Sequence, residues 1–345
     1  MRYRDAGVDI GRAEAIKASL ARAVESTWGP EVRRLRGGFA GVMRWPGDAG
    51  AGAPGALVAA TLDGVGSKLD LARAAGRLRE AAADLVRHGA NDLLVHGARP
   101  LAFLDYVAQA RLDPEVVLAV VEGVSGACRE VGAALLGGET AEMPDTYRPE
   151  VVDVAGCMIG WVPTDALLDG HAVRPGDVVL GLGSDGLHTN GYTLARRVLE
   201  RSGLGLDAPL PGGAGERLGE ALLAPHRWYG PALGPALEAG TVHALAHVTG
   251  GGLAGNLARV LPEGCRARLA PGAWPRPPLF RWLIAAGEIP EDDARTAFNL
   301  GIGMAVVCAP DAAPALSRSL LARGERVAEI GAIAAGTRGV EWGEG

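Results

Sequence analysis

The sequence predicts a mixed α/β (α+β) protein built from two domains, and three observations support this prediction. Short apolar runs of strand length alternate along the chain with longer stretches of helical periodicity. The length of 345 residues exceeds the size at which a single hydrophobic core usually keeps growing. A polar segment near the middle, residues 169–177, contains a Pro-Gly pair that is typical of a turn. We therefore predict one domain at residues 1–168 and a second at residues 169–345.

The predicted strands and helices follow from these runs. In the first half, the strands cover residues 57–61, 101–107, 133–136 and 152–162, and the helices cover residues 78–97 and 114–131. In the second half, the strands cover residues 177–182, 243–249, 301–308 and 326–330, and the helices cover residues 192–202, 252–261 and 312–323. The two halves thus show a similar succession of elements.

The composition indicates a folded protein without affinity for nucleic acid. Apolar residues make up 48% of the chain and charged residues 21%, which is enough apolar material for real cores and too little charge for disorder. The formal net charge is -6, so the broad basic surface that nucleic acids require is not expected. We expect no nucleic-acid partner.

Cysteine spacing and hydropathy predict a reduced, cytoplasmic protein. The chain has four widely spaced cysteines without a CxxC pair, which argues against a cysteine zinc site and against a disulfide framework. No apolar stretch approaches the roughly 18 residues needed to span a bilayer, and the amino terminus lacks the apolar segment of a signal peptide. We expect no membrane partner.

The segment at residues 61–68 is the first candidate site, because it follows a predicted strand. It carries Asp63, Gly64, Gly66, Ser67 and Lys68. The glycines would allow a phosphate to approach the backbone, the ammonium would neutralise phosphate oxygens, and the carboxylate suits Mg²⁺. The usual GxxxxGK[ST] spacing is absent, and a glycine turn with a surface lysine is the alternative.

Two further acidic segments could complete a cation site. Asn91 and Asp92 interrupt an apolar stretch, so Asp92 is either a cap or turn residue or a metal ligand at the edge of the core. Glu139 and Thr140 follow a short apolar run, where a second strand is expected to end. Because ligands collect at the carboxyl ends of strands, we predict a hard-cation site that includes Asp63, Asp92 and Glu139.

A strand-to-helix turn in the second half offers groups for an anion. The turn carries Ser184, Gly186, His188, Thr189 and Asn190 just before a predicted helix. Amides and hydroxyls at a helix amino terminus bind anions, and His188 can transfer protons near neutral pH. The alternative is a helix cap formed by Thr189 or Asn190 beside an ordinary loop histidine.

A second strand-to-helix turn contains a run of glycines. His247 and Thr249 are followed by Gly250, Gly251 and a third glycine. Because consecutive glycines destabilise a fold locally, we expect a ligand to approach the backbone here, and a sharp turn is the alternative. Near the amino terminus, Asp9 and the glycine-rich residues 37–41 suggest either a lid over phosphates or an ordered tail.

Several motifs taken in order resemble those of one family. They are YRDAGVDI, GGFAG, TLDGVGSKLDLA, GANDLLVHGARPLAFLDY, LLGGETAEMP, DGLHTNGYTLAR, AHVTGGG and FNLGIGM, and they run from Tyr3 to about Met304. This set resembles the phosphoribosylformylglycinamidine cyclo-ligases, the AIR synthetases of purine synthesis. DGVG or GGET alone would indicate only the wider superfamily, whose members include thiamine-monophosphate kinase and selenophosphate synthetase.

The resemblance implies a fold, an assembly and a reaction. It implies an AIR-synthetase-like homodimer whose amino-terminal sheets join in a barrel-like interface, an α/β carboxy-terminal domain, and an ATP site that involves both subunits. It implies a cytoplasmic ligase that uses ATP and Mg²⁺ to cyclise a small-molecule nucleotide, formylglycinamidine ribonucleotide (FGAM), to 5-aminoimidazole ribonucleotide (AIR). A kinase of the same superfamily and a catalytically silent nucleotide-binding protein are the alternatives.

The candidate residues fall into four expected roles. We expect catalytic roles for Lys68, His188 and His247, and Mg²⁺ ligation by Asp63, Asp92 and Glu139. We expect nucleotide binding by Asp9, Asp63, Gly64, Gly66, Ser67, Lys68, Asn91 and Thr140. We expect substrate binding by Ser184, Gly186, His188, Thr189, Asn190, Thr249, Gly250 and Gly251.

Overall fold

The structure is a computed structural model, and it describes residues 2, 4–6, 20, 23–35, 37–45 and 55–343. Two six-stranded sheets organise these residues, one in each half of the chain. This arrangement confirms the predicted mixed α/β class. The boundary between domains at residues 168 and 169 stays a prediction.

The first sheet contains six strands in the order β1-β2-β3-β6-β4-β5. The strands are β1 (Val32–Arg33), β2 (Gly41–Arg44), β3 (Ala56–Gly64), β4 (Arg99–Gln109), β5 (Ala134–Glu142) and β6 (Val152–Pro163). Only β4 and β5 pair in parallel, and the other neighbours are antiparallel. As a result, β3, β4 and β5 run in the same direction and their carboxyl ends share one edge of the sheet.

Three helices of the first half lie wholly within the described residues. They are α1 (Lys68–Ala74), α2 (Leu78–Leu94) and α3 (Pro114–Val131). Alternate residues of the sheet are buried against α2, among them Ala59, Phe103 and Met158. The intervening residues point to the other face, which no described element of this chain covers, so leucine side chains there are exposed.

The second sheet contains strands in the order β12-β9-β11-β7-β10-β8. The strands are β7 (Val178–Gly183), β8 (Ala244–His247), β9 (Cys265–Leu269), β10 (Ile302–Cys308), β11 (Val327–Ala335) and β12 (Gly339–Trp342). The helices are α4 (Tyr192–Ser202), α5 (Leu218–Leu222), α6 (Gly230–Glu238), α7 (Gly252–Val260), α8 (Pro278–Gly287), α9 (Glu291–Ala297) and α10 (Ala313–Ala322). All seven residues of β10 are buried, as expected for a central strand.

Helix α2 joins the two halves, because it contacts both β8 and α6. One hydrophobic cluster also crosses between the halves, with Leu69 and Leu85 from the first and Leu187 and Tyr192 from the second. Burying each such side chain contributes roughly 1.5–3 kcal/mol. In the part of the chain that the structure describes, no helix is long and apolar enough to span a membrane.

Candidate functional site

The candidate site lies where the edge of the first sheet meets α2 and the second half. Asp63 is next to last in β3, and His88 and Asp92 lie one turn apart on α2. His247 ends β8, and His188 lies between β7 and α4. Residues three or four apart share one face of a helix, so α2 directs His88 and Asp92 toward the same place.

Asp92 and His247 form a buried pair across the two halves. The Asp92 Oδ1 to His247 Nδ1 distance is 2.7 Å. Nε2 of His88 lies 3.7 Å from Asp92 Oδ2 and 3.6 Å from Asp63 Oδ1. Burial raises the pKa of Asp92 to about 7, against the opposing effect of His88. Burial also lowers the pKa of His247 to about 3, which favours the neutral imidazole.

His188 is held in an unusual conformation beside a second buried histidine. Its φ is 59°, in the left-handed region that costs a non-glycine residue roughly 1–2 kcal/mol. Its ring stacks on that of His226, with 4.1 Å between centroids and 20° between planes. Burial is the main reason that the pKa of His188 lies well below its ordinary value, and the nearby His247 lowers it further. Strain of this kind is characteristic of functional sites.

Lys68 is the first residue of α1 and is buried, with 1% of its surface exposed. Its Nζ donates to Asp84 Oδ2 at 2.5 Å and to the carbonyl oxygens of His188 and Ala224 at 2.9 and 3.1 Å. An ammonium has three donors, so all of them are engaged. A direct contact of Lys68 with a phosphate would require one of these bonds to break.

Asp84 and Asn91 connect α2 to the loop that precedes α6. Asp84 Oδ1 accepts from the backbone N–H of His226 at 2.8 Å. The Asn91 side chain donates to the Arg227 carbonyl at 2.8 Å and accepts from the Tyr229 N–H at 3.2 Å. Because both ends of the Asn91 amide bond to this loop, the side chain holds the loop at Arg227 and Tyr229 instead of facing the cleft.

We expect Asn91→Leu to destabilise the protein by about 2–4 kcal/mol, since a leucine of similar size leaves two backbone groups unpaired. Urea unfolding would measure the change. Asn190→Leu is the matched control, because the Asn190 amide makes one long contact of 3.4 Å with Thr189. A loss for Asn91→Leu no larger than that of the control would contradict the structural role.

The remaining residues of the 61–68 segment lie around the cleft. Gly64 ends β3, and Gly66 has a φ of 67°, where a side chain would be strained. Ser67 Oγ lies 3.1 Å from Thr193 Oγ1 on α4, so the two halves also meet here. Thr189 Oγ1 lies 2.6 Å from His88 Nδ1.

Glu139 and Thr140 do not lie at the end of a strand, because β5 continues to Glu142. Glu139 pairs with Tyr106, whereas Asp63 and Asp105 both pair with Gly156 in the adjacent register row. Successive strand residues point to opposite faces, so Glu139 and Asp63 face opposite sides of the sheet. Three strand spacings, roughly 14 Å, also separate them. Within one subunit, Glu139 therefore does not converge with Asp63 and Asp92.

The 184–190 turn is fixed by side chains of the second half. Ser184 Oγ donates to Asn299 Oδ1 at 2.9 Å, and Asn299 Nδ2 donates to the Gly186 carbonyl at 2.8 Å. Arg326 adds a 2.7 Å bond to the Ser184 carbonyl. These bonds connect the turn beside His188 to Asn299 and Arg326.

The glycine run at residues 250–252 has two different explanations. At Gly252 a Cβ would lie 1.8 Å from the Arg295 carbonyl oxygen, so chain packing alone requires glycine there. Gly250 and Gly251 instead line a cavity of about 670 Å³ together with Asn256 and Arg295. A ligand in this cavity could therefore contact the backbone of Gly250 and Gly251.

The glycine-rich residues 37–41 are anchored. Arg259 donates to the carbonyls of Gly37 and Gly38 at 2.8 and 2.7 Å and stacks over the Phe39 ring. The Phe39 N–H donates to His96 Nε2 at 3.0 Å. These contacts favour an ordered loop over a mobile lid. Asp9 lies outside the described residues.

Two histidines of this site were missed by the sequence reasoning. His88 had a usable signal, because an imidazole and a carboxylate four residues apart share one helix face. His226 had none, since it lies in an irregular loop without periodicity. Asp84 was also missed, because its burial is explained by an ion pair with Lys68 that only the structure shows.

Family models describe both halves of the chain. "AIR synthase related protein, N-terminal domain" matches residues 40–162, and "AIR synthase related protein, C-terminal domain" matches residues 174–343. A phosphoribosylformylglycinamidine cyclo-ligase from Synechococcus sp. (strain CC9311) is 42% identical over 340 residues, covering 98% of this chain and 97% of that protein.

Solved structures share the fold at low identity. Thiamine-monophosphate kinase from Stenotrophomonas maltophilia K279a aligns with a TM-score of 0.64 and 20% identity, covering 93% of each chain. PurL of T. maritima, solved in complex with AMPPCP, aligns with a TM-score of 0.54 and 19% identity, covering 81% of this chain and 40% of that one. At such identities the likeness shows the fold alone.

Proposed function

This chain belongs to the phosphoribosylformylglycinamidine cyclo-ligase family, and from that membership we propose how its own residues carry out the reaction. The enzyme is a ligase of purine biosynthesis that cyclises FGAM to AIR at the expense of ATP. The nucleotide complex of the structural neighbour PurL is consistent with ATP use.

The reaction needs ATP because a carbonyl oxygen is a poor leaving group. Transfer of the γ-phosphoryl group to the formyl oxygen of FGAM forms one P–O bond and releases ADP. The amidine nitrogen then attacks the formyl carbon, the C–O bond breaks, and phosphate leaves with the former formyl oxygen. Loss of a proton from the attacking nitrogen completes the imidazole ring.

We propose that Asp63 is the principal carboxylate for a magnesium ion at this cleft. Its side chain is about 30% exposed and points from the end of β3 toward α2, and carboxylate oxygens are ligands that Mg²⁺ prefers. Asp92 lies behind it and is already paired with His247. Bound Mg²⁺ would neutralise charge on the phosphate oxygens, which is where phosphoryl transfer gains most. Ser67 and the glycines at 64 and 66 would face the nucleotide.

We propose that His247 accepts the proton released on ring closure. Burial lowers the pKa of this imidazole to about 3 and raises that of Asp92 to about 7, so a proton that enters at His247 Nε2 would pass on as the Nδ1 proton to Asp92 across their 2.7 Å contact. His188, whose ring stacks on that of His226, supplies a second neutral imidazole. Lys68 serves the same reaction indirectly, because its bonds hold the His188 backbone and α1 together.

We propose that the substrate phosphate lies at the 249–251 turn. Gly250 and Gly251 line the cavity that also contains the Arg295 side chain, and they precede α7, whose amino terminus favours an anion. Asn190 Oδ1 would lie 3.5 Å from a Cβ placed at Gly250, so the two substrate turns meet there. Ring closure joins two groups of the same bound molecule, so its rate gains mainly from holding those groups in a reactive geometry.

The observation that carries this proposal is the convergence of Asp63, Asp92, His188 and His247 on one cleft between the halves. ADP release by the purified enzyme tests it, with FGAM and thiamine monophosphate offered separately. We expect ADP and AIR in equal amounts with FGAM and no stimulation by thiamine monophosphate. Stimulation by thiamine monophosphate without AIR formation would favour the kinase.

We propose that the enzyme is a homodimer that joins through the uncovered face of the first sheet. We call this surface the open face, and its exposed apolar side chains are Leu62, Leu101, Leu104, Leu136 and Trp161. Contiguous apolar surface of this kind is characteristic of protein interfaces. Glu139 points to the same face, so its magnesium or nucleotide role would belong to a site shared by two subunits.

We expect the double substitution Leu62→Glu and Leu136→Glu to convert the dimer to a monomer, because it places two charges in the apolar interface. Sedimentation analysis would measure the mass. Leu321→Glu is the control, since Leu321 on α10 is 52% exposed but far from the open face. A wild-type enzyme that sediments as a monomer, or a double variant that stays dimeric, would refute the interface.

We also propose a cytoplasmic location, since the substrate is a soluble nucleotide. We retain the domain boundary between residues 168 and 169, which lies in the stretch between the two matched family models.

A further inference from the structure

Four buried imidazoles meet at the junction of the two halves, which is more than the cyclisation requires. The group consists of His88, His188, His226 and His247, which we call the imidazole cluster. Neighbouring ring centroids lie 4.1–5.4 Å apart. His188, His226 and His247 are each at most 1% exposed. Such a concentration of one side chain in a protein interior calls for a chemical reason.

The hydrogen bonding of the imidazole cluster is incomplete. Among the described residues, neither ring nitrogen of His188 has a hydrogen-bond partner, and neither does Nδ1 of His226. Each unpaired buried polar group costs roughly 1–3 kcal/mol. Buried polar atoms in folded proteins nearly always have partners, and a bound ion often satisfies those that otherwise have none.

The distances inside the imidazole cluster suit a metal ion. Nε2 of His226 and Nε2 of His247 lie 3.0 Å from each other. Two nitrogens bound to one tetrahedral zinc ion at roughly 2.0–2.1 Å each would lie about 3.3 Å apart. One ligand atom from each of His188, His226 and His247 falls within 4.8 Å of the other two.

Asp92 completes the arrangement behind His247. Its Oδ1 lies 2.7 Å from His247 Nδ1, the nitrogen that faces away from His226. Metal-bound histidines commonly donate their second N–H to a carboxylate, which orients the ring and leaves the other nitrogen free to bind.

We propose that His188, His226 and His247 form a binding site for one divalent ion of the zinc class, with Asp92 orienting His247. The ion would occupy Nε2 of His247, the nitrogen proposed above to accept the ring-closure proton, so ion binding and cyclisation exclude each other. Imidazole nitrogens favour Zn²⁺, Co²⁺, Ni²⁺ or Cu²⁺, whereas Mg²⁺ prefers oxygen ligands. The site is therefore distinct in its chemistry from a magnesium site at Asp63. A fourth position would remain for water, since three protein ligands leave tetrahedral zinc one open position.

A second triad, His88, Asp92 and His247, also has ligand atoms within 4.8 Å of one another. We favour the three-histidine set because one unpaired ring nitrogen of His188 gains a partner there. In the second triad, Asp92 and His247 already satisfy each other. The widely spaced cysteines did not indicate a zinc site in the sequence. The three histidines come from two separate loops and a strand end, so no short sequence motif indicates them either.

Metal binding to the full-length enzyme tests the proposal. Protein dialysed against a chelator would be titrated with Co²⁺, whose visible absorption reports tetrahedral coordination, and then with Zn²⁺ against a chromophoric chelator. We expect one ion per chain and a strong tetrahedral Co²⁺ spectrum. We expect His226→Ala to weaken Zn²⁺ binding at least about 100-fold and Asp92→Asn to weaken it about 10- to 100-fold.

His243→Ala is the matched control, because His243 also pairs with an aspartate, at 2.7 Å from Asp177, but lies outside the imidazole cluster. The control should bind Zn²⁺ like the wild type. Absence of stoichiometric binding, or equal losses in His226→Ala and His243→Ala, would overturn the proposal. If His226→Ala does not fold, X-ray absorption of the zinc-loaded wild type decides: three nitrogen ligands support the site, and an oxygen-only shell refutes it.

Discussion

Asp63→Asn should lower turnover of FGAM by about 100- to 1000-fold, the loss that follows removal of a key electrostatic stabiliser. The amide keeps the size of the side chain but removes the charge that faces the cleft from the end of β3. The affinity for FGAM should change much less, because the proposed substrate phosphate lies at the 249–251 turn. Steady-state rates of AIR formation over a range of Mg²⁺ and ATP concentrations would measure the effect.

Asp70→Asn provides the comparison for this variant. Asp70 is also an aspartate of the first half, but it pairs with Arg196 on the surface instead of facing the cleft. Its substitution should leave turnover within a few-fold of the wild type, as expected for an exposed ion pair. Wild-type turnover in Asp63→Asn, with unchanged dependence on Mg²⁺, would contradict the metal role of Asp63.

Lys68→Met should destabilise the protein by about 3–5 kcal/mol, the usual cost of removing one partner from a buried ion pair. Both Lys68 and Asp84 are 1% exposed, and Lys68 also bonds the carbonyls of His188 and Ala224. Loss of the ammonium leaves Asp84 with Arg87 and the His226 N–H, and it leaves both carbonyls without this donor. Chemical denaturation would measure the free energy of unfolding.

Arg148→Met is the matched control for Lys68→Met, since Arg148 pairs with Glu150 at 3.5 Å on the surface. An exposed pair of this kind contributes at most about 1 kcal/mol. If Lys68→Met lost no more stability than Arg148→Met while turnover collapsed, Lys68 would instead act directly on the phosphates, as the sequence alone suggested.

Elements with strong local signals were predicted closely. Helix α3 begins and ends where expected, because Asp113 caps its amino terminus, Pro114 occupies the first position and Gly132 ends it in the left-handed conformation. The two residues of β1 were not predicted, since a strand so short has no periodicity to detect. Helix α1 was also missed, because the 61–68 segment was interpreted as a loop.

The sequence predicted some residues of the candidate site and not others, and the difference has a physical reason. His188 follows β7 and His247 ends β8, each next to a glycine-containing turn, so each had a local signal. The burial of Lys68 depends on Asp84, and the pairing of Asp92 with His247 joins residues 155 positions apart. The side of the sheet that Glu139 faces depends on the register with β4, which shifts between Phe103 and Leu104. A one-residue shift reverses the face, and no local pattern reveals it.

If ATP activates the formyl oxygen of FGAM, that oxygen must leave with the phosphate, so an isotope label in the formyl group reports this step. FGAM labelled with ¹⁸O in the formyl group would be converted with unlabelled ATP, and the released phosphate analysed by mass spectrometry. A sample of FGAM incubated without enzyme would control for exchange with solvent. We predict one ¹⁸O atom in each phosphate released. Unlabelled phosphate, with the ¹⁸O recovered in water, would contradict this account.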